Sequence, residues 1–213
     1  MKNLFLVRHA ESQHHVGELT GGWTDVPLTV VGHRQARLLA QFFAVQLHGR
    51  NAQVYSSDLK RCRETAEPIA SALQCNAVFT PELRELNNGT AAGRTKTEAS
   101  KLRRPPVEPI LDWVPYQGAE SWRNLYRRIV TFADGLNRND DAVVILVTHA
   151  YALICLVNWF MRIADDNLVA NIMYDAAPGS ITHLRVGDQD CRTIGFLNSS
   201  SHLENLSECR WNL

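Results

Sequence analysis

Two short stretches of the chain are apolar at every position, "LFLV" over Leu4–Val7 and "VVILV" over Val143–Val147. Their length and branching fit strands covered on both faces, the habit of parallel sheets. "AQVYS" (52–56) and "NAVFT" (76–80) repeat the pattern more weakly. Between them the apolar period changes. Over 29–47, Ala36, Leu39, Ala40, Phe43 and Leu47 keep a 3.6-residue period, which predicts an amphipathic helix with Thr29 as its N-cap. A second helix is predicted over 57–73, with Asp58 as candidate cap and Pro68 expected to kink it or delay its start. Others are predicted from about Glu120 to Leu136 and from about Tyr151 to Ile163. Near the end "SITHLRVGDQDCRTIGFL" (180–197) reads as two strands around a turn, an antiparallel hairpin.

Strands alternating with helices imply an α/β fold: a three-layer α/β/α sandwich with a mainly parallel central sheet and one antiparallel strand or hairpin near the C-terminus. The chain has no internal repeat, low-complexity tract or linker, so residues 1–213 read as one domain. That length buries roughly 70 % of the unfolded surface. The stretches 10–28 and 81–118 are left as connections, longer than packing alone explains. The second contains the extended "RRPPVEP" (103–109).

Composition narrows the partners. The 22 basic and 22 acidic residues cancel, so no strong field draws the chain to nucleic acid or an acidic membrane. A bound anion must be held by a local cluster. Cys62, Cys75, Cys155, Cys191 and Cys209 are odd in number and never form a CxxC pair, a pattern of reduced thiols in a cytoplasmic protein. Arg8 cuts short the apolar N-terminus, leaving no signal-peptide core. Asn158 interrupts the longest apolar run, around Ala150–Met161, which falls short of the ~20 residues of a membrane helix. The expected class is soluble, cytoplasmic and globular.

In open α/β sheets ligands bind beyond the carboxyl ends of the strands. Arg8-His9 and Thr148-His149 each follow an apolar strand, Arg61 falls in the first turn after the second strand, and Glu85 follows the third. Four strand exits thus bring chemistry to one rim, although each motif alone has an ordinary structural explanation. The vicinal His14-His15 hints at a metal, but no cysteine or carboxylate stands at ligand spacing, so no metal is expected. His33, His48, His183 and His202 read as packed or solvated polar groups.

Taken in order, "LVRHAES" (6–12), "GGWTDVPLTVVGHRQA" (21–36), "YSSDLKRCRETA" (55–66), "LREL" (83–86), "GAES" (118–121), "VTHA" (147–150) and the closing "FLNSSSHL" (196–203) resemble the histidine phosphatase superfamily. The resemblance implies His9 as a nucleophile that receives a phosphoryl group. It implies Arg8, Arg61 and His149 as the rest of a phosphate pocket and Glu85 as proton donor, with no cofactor. His15 stands where many members carry Asn, and its charge is expected to vary with pH. Trp23, Asn87, Asn88, Arg94, Ala150 and the 100–118 segment are the expected substrate lining, mixed and polar. It would suit sugar phosphates, phosphorylated carboxylic acids or a nucleotide. "TAAG" (90–93) replaces the "WEG" element found in many members.

The residue types suit the task. Arginine meets two phosphate oxygens with a planar fork and stays charged. His9 must be neutral to attack, a form that the neighbouring Arg8 and Arg61 favour. Glu85 needs a raised pKa to act as an acid, and His149, if cationic, would stabilise the equatorial oxygens. The implied function is a metal-independent phosphatase acting on a small phosphorylated metabolite through a phosphohistidine. A phosphoglycerate-type mutase is the alternative enzyme, with Arg103-Arg104 in its favour. Against it, Leu86-Asn87-Asn88-Gly89 follows the acid in place of the Arg, aromatic or His, Tyr and Gly of such mutases. A non-catalytic phospho-ligand binder is the third reading.

Overall fold

The computed structural model describes residues 3–136 and 143–204. Its sheet has six strands: β1 (Asn3–Arg8), β2 (Ala52–Ser57), β3 (Ala77–Thr80), β4 (Val143–Thr148), β5 (Ile181–Val186) and β6 (Arg192–Ser199). Their order is β3-β2-β4-β1-β5-β6. The first four run parallel, β5 is antiparallel to β1, and β6 is antiparallel to β5. This is the expected mainly parallel sheet with a C-terminal hairpin. Side chains alternate across a strand, so Leu4 and Leu6 enter one core while Phe5 and Val7 enter the other. In β4, Val144 and Leu146 oppose Val143, Ile145 and Val147 in the same way. With both faces buried, neither strand shows polar alternation.

The helices are α1 (Gln13–Val16), α2 (Val30–Gln46), α3 (Lys60–Ala72), α4 (Lys96–Leu102), α5 (Trp122–Asp134), α6 (Ala150–Phe160), α7 (Asp166–Asn171) and α8 (Ser201–Glu204). α2 and α3 cover the Phe5 face, and α5 and α6 cover the Leu4 face. The Thr29 side chain caps α2 as expected, accepting from the Gly32 amide at 3.0 Å. Gly32 has its own reason. A Cβ there would lie 1.9 Å from the Glu11 carbonyl oxygen, so only glycine lets α2 start so close to the loop after β1. α6 is apolar nearly all round and is buried as such, each of Leu153, Ile154, Leu156 and Val157 contributing roughly 1.5–3 kcal/mol.

Several expectations are corrected. Asp58 does not cap α3, whose N-cap is Leu59; its carboxylate instead takes Arg84 through two bonds of 2.6 Å. α3 begins on time and continues through Pro68. The burial of Cys62, Ala66, Ile69 and Ala70 against the sheet outweighs one lost backbone bond. Residues 81–118 are not bare loop. They carry α4, opened by a capping box in which Thr95 Oγ1 accepts from the Glu98 amide at 3.2 Å and the Glu98 carboxylate accepts from the Thr95 amide at 2.9 Å. Among the described residues no helix is long and apolar enough to cross a membrane. Cys62, Cys75, Cys155 and Cys191 are free thiols; Cys209 lies outside the described residues.

Candidate active site

Sheet register brings the two histidines together. Arg8 pairs with Thr148 across β1 and β4, so the next residues, His9 and His149, leave the sheet side by side. The His9 amide donates to the Thr148 carbonyl at 2.8 Å, and the two ring centroids are 5.1 Å apart. Arg61, 1 % exposed, enters from the first turn of α3. Its Nε donates to His9 Nε2 at 3.2 Å and one terminal nitrogen donates to His149 Nδ1 at 3.0 Å. The Thr24 and Gly22 carbonyls hold the guanidinium in place at 2.6 and 2.7 Å. Arg8 donates to the Ala176 carbonyl and lies 3.1 Å from His15 Nε2, while its Nε is buried without a partner among the described residues.

Hydrogen bonding fixes the tautomers. His9 Nδ1 donates to the Ala10 carbonyl at 2.8 Å, which leaves a lone pair on Nε2. Burial, more than the neighbouring Arg61 and Arg8, holds the His9 pKa well below its ordinary value. Cations were expected to be the cause; desolvation is the larger one. His149 accepts from Arg61 on Nδ1, so its Nε2 donates to Ser57 Oγ at 2.9 Å. Burial and then Arg61 hold it neutral, so the condition set for a cationic His149 is not met.

His15 packs on His9 with ring centroids 5.5 Å apart and takes the Ser12 amide on Nδ1 at 3.1 Å. The proton then sits on Nε2, facing the Arg8 guanidinium: two donors with no acceptor between them. Burial and Arg8 lower its pKa to about 4. Contrary to expectation, its charge does not vary around neutral pH. His14 bonds Ser12 Oγ at 2.7 Å and is lowered to about 3, chiefly by burial. His9, His14 and His15 offer ligand atoms within 4.8 Å of one another, a grouping able to hold a metal ion. Guanidinium nitrogens 3.1 and 3.2 Å from two of those rings oppose a cation and favour an anion.

Glu85 completes the rim. Its carboxyl group lies across the N-terminus of α6 and accepts from the amides of Tyr151 at 3.2 Å and Ala152 at 3.3 Å. Burial nonetheless raises its pKa, against the pull of the Leu86 and Tyr151 amides and of Arg61 and Arg8. Arg128 of α5 shapes the segment that carries it, donating to the carbonyls of Glu82, Arg84 and Glu85 at 2.6, 3.0 and 3.2 Å. Glu120 holds Arg128 through bonds of 2.8 and 3.0 Å. Neither residue was singled out as functional, although Glu120 lies in the "GAES" motif, whose Ser121 caps α5.

A cavity of about 420 Å³ opens over this rim, walled by Arg8, His14, Thr20, Glu85, Tyr116 and Tyr151, with Asn87, Asn88 and Ala150 also reaching it. Two expected lining residues are elsewhere. Trp23 is a buttress: its indole donates to the Glu85 carbonyl at 2.7 Å, and the Arg84 guanidinium lies 4.7 Å over its ring. Arg94 is exposed and folds back on the Thr90 carbonyl at 2.8 Å, because the start of α4 turns the chain away. Asn88 reaches the wall with its amide already bonded to Trp23, Thr20 and Gly21. His14, Thr20 and Tyr151 were missed, while Tyr116 comes from the expected 100–118 segment. Only Tyr151, an aromatic residue directly after "THA", offered a signal.

Residues 4–198 match the family model for the histidine phosphatase superfamily, branch 1. A protein of Hydrogenobacter thermophilus bearing the name "Putative phosphoserine phosphatase 2" is 30% identical over 216 residues, covering 97% of this chain and 100% of that protein. A "Probable phosphoglycerate mutase GpmB" of Escherichia fergusonii is 37% identical over 163 residues, 74% of each chain. A solved structure of phosphoserine phosphatase from Entamoeba histolytica, in complex with 3-phosphoglyceric acid, superposes with a TM-score of 0.75 at 21% identity, covering 95% of this chain and 100% of that one.

Proposed function

This chain belongs to the histidine phosphatase superfamily, branch 1, and on that premise we propose that it is a phosphatase of small phosphorylated metabolites working through a phosphohistidine, built as a single domain. The observation that carries the reading is the lone pair of His9 Nε2, kept unprotonated beneath two arginines. As the phosphomonoester enters, the Arg61 Nε–H turns from that lone pair to a phosphate oxygen. Arg8 and the Nε2–H of His15 supply further donors to the anion, each hydrogen bond to a charged group contributing roughly 1.5–3 kcal/mol. No metal is needed to neutralise the charge. Neutral His149 holds Arg61 in position.

His9 Nε2 then bonds to phosphorus as the bond to the ester oxygen breaks, and Glu85 gives that oxygen its proton. In the second step Glu85 takes a proton from water, whose oxygen displaces His9 and releases phosphate. Mutase chemistry is the second reading, supported by the 37% identity to the mutase-named relative. Brief incubation with ³²P-labelled substrate should leave acid-labile, base-stable phosphate on His9, and active enzyme without it would rule out the covalent route. Added 3-phosphoglycerate with a bisphosphoglycerate primer should lose phosphate; interconversion to the 2-isomer without loss would favour the mutase.

A further inference from the structure

Beside the phosphate cavity lies a second compartment of about 370 Å³, and its lining is not the polar one expected. Trp113, Trp122, Tyr116 and Tyr151 supply four aromatic rings, with Ile110 and Met173 at the rim. The rings of Trp122 and Tyr151 meet edge to face at 5.2 Å. The Arg103 guanidinium lies 4.8 Å over Trp113 and, among the described residues, pairs with no carboxylate. The other charge in the lining, Glu120, is taken by Arg128. Leu86, Pro115, Tyr116 and Tyr151 belong to both compartments, so the two share a wall.

That wall stands on the leaving-group side of the reaction. Leu86 directly follows Glu85, and the Tyr151 amide holds the Glu85 carboxyl while its side chain faces both spaces. An ester oxygen protonated by Glu85 therefore has its carbon skeleton directed past Leu86 and Tyr151. We propose that the preferred substrate is the phosphomonoester of an alcohol carrying an aromatic ring, with the phosphate over His9 and the ring in the Trp113–Trp122–Tyr151 compartment. Aromatic faces and edges select a flat, electron-rich body, and Arg103 adds a cation at its face. The volume falls in the range that holds a small ligand. The assignment rests on the phosphatase reading above.

Three esters of alcohols of similar acidity separate the possibilities: n-propyl, n-octyl and 3-phenylpropyl phosphate. The phenylpropyl ester should exceed the propyl ester more than tenfold in kcat/KM, since even a single methylene in an apolar pocket gives that order of discrimination. Ile110→Asp combined with Met173→Asp should cut the ratio at least threefold. Both side chains are substantially exposed, at 41% and 55%, so the variant folds. Added charge repels both dianions alike and cancels in the ratio. Equal rates on the phenylpropyl and propyl esters, a ratio unmoved by the double substitution, or preference for the octyl ester would overturn the aromatic assignment while leaving the phosphatase intact. Hydrolysis of none of the three would overturn both.

Discussion

At the strand ends His9, Arg61 and His149 are buried, and their functional nitrogens have named partners within 3.2 Å. Across the cavity, Leu86, Trp113, Tyr116, Trp122 and Tyr151 form a partly exposed wall rich in aromatic rings. The first region inherits its geometry from the sheet. A one-residue slip of β1 against β4 would send every side chain of β1 to the wrong core, so the position of His9 is as secure as the fold. The second region hangs on side-chain bonds: Arg128 holds the Glu82–Glu85 backbone that leads into it, and Asn88 ties it to Thr20 and Trp23. On the proposed function, reaction chemistry and substrate choice are thus held by different forces, and one can change without the other.

Glu85 sits on the border, carried by the long connection yet bonded to the start of α6. It gives the comparison its sharpest test. Glu85→Gln keeps the shape and an acceptor oxygen but has no proton to give. Its kcat/KM on alkyl phosphates should fall about 10²- to 10⁴-fold, the usual range for a general acid. On p-nitrophenyl phosphate, whose leaving group needs little protonation, the loss should stay under about tenfold by the same logic. Equal losses on both substrates would mean that Glu85 serves the phosphate end alone.

The same division explains what could be read from the chain. Leu4–Val7 and Val143–Val147 announce their burial on both faces, and the residues that follow such strands must lie on one rim, so the meeting of His9 with His149 was legible. Thr29 was legible as a cap because a hydroxyl side chain directly before a helical period is a local signal. Asp58 failed as one because its alternative partner, Arg84, is remote in sequence. Trp23 and Arg94 were misplaced for a like reason: nothing local says whether a loop side chain faces the cavity or braces a neighbour. The T-x-x-E box opening α4 was readable but lacked a sustained apolar period to draw attention. The aromatic compartment gathers residues from 86 to 173, and no window of sequence contains it.

A smaller effect distinguishes the two regions by acid. His14 and His15 stand in the strand-end pocket with pKa values lowered to about 3 and about 4, mainly by burial. In the unfolded chain each titrates near 6.5, so between these values the unfolded state binds more protons. Stability is therefore undiminished above the unfolded pKa and is lost as pH falls below it. The melting temperature should change little between pH 7.5 and 7 and drop progressively below 6.5. His183 and His202, both lowered to about 4, add to the slope from elsewhere in the fold. His14→Gln, at an 8% exposed site, should flatten that slope by up to about 3–6 °C per pH unit, since one depressed histidine contributes at most about 1.4 kcal/mol per unit. An unchanged slope would mean that His14 carries no acid sensitivity.

The smallest effect is expected at the seam itself. Asn88 accepts from the Trp23 amide at 3.0 Å and donates to Thr20 Oγ1 at 3.1 Å and the Gly21 carbonyl at 3.3 Å. Gly22 beside it has φ of 59°, and a Cβ there would lie 2.2 Å from Asn88 Oδ1, so the two segments press together where neither could carry more. Asn88→Ala removes three bonds but opens room for water, because the site is only half-buried. The net loss of stability should be about 1–2 kcal/mol, a fall of about 2–8 °C in melting temperature. The Gly22 carbonyl that holds Arg61 belongs to the same turn, so loosening it reaches the phosphate pocket indirectly. KM for alkyl phosphates should rise a few-fold while kcat on p-nitrophenyl phosphate stays within about twofold, since His9 and Arg61 keep their register-given positions. A collapse of kcat to the level of Glu85→Gln would show that the wall does more than choose the substrate. The separation between a rigid reacting end and an adjustable selecting end would then be wrong at the place where it is easiest to test.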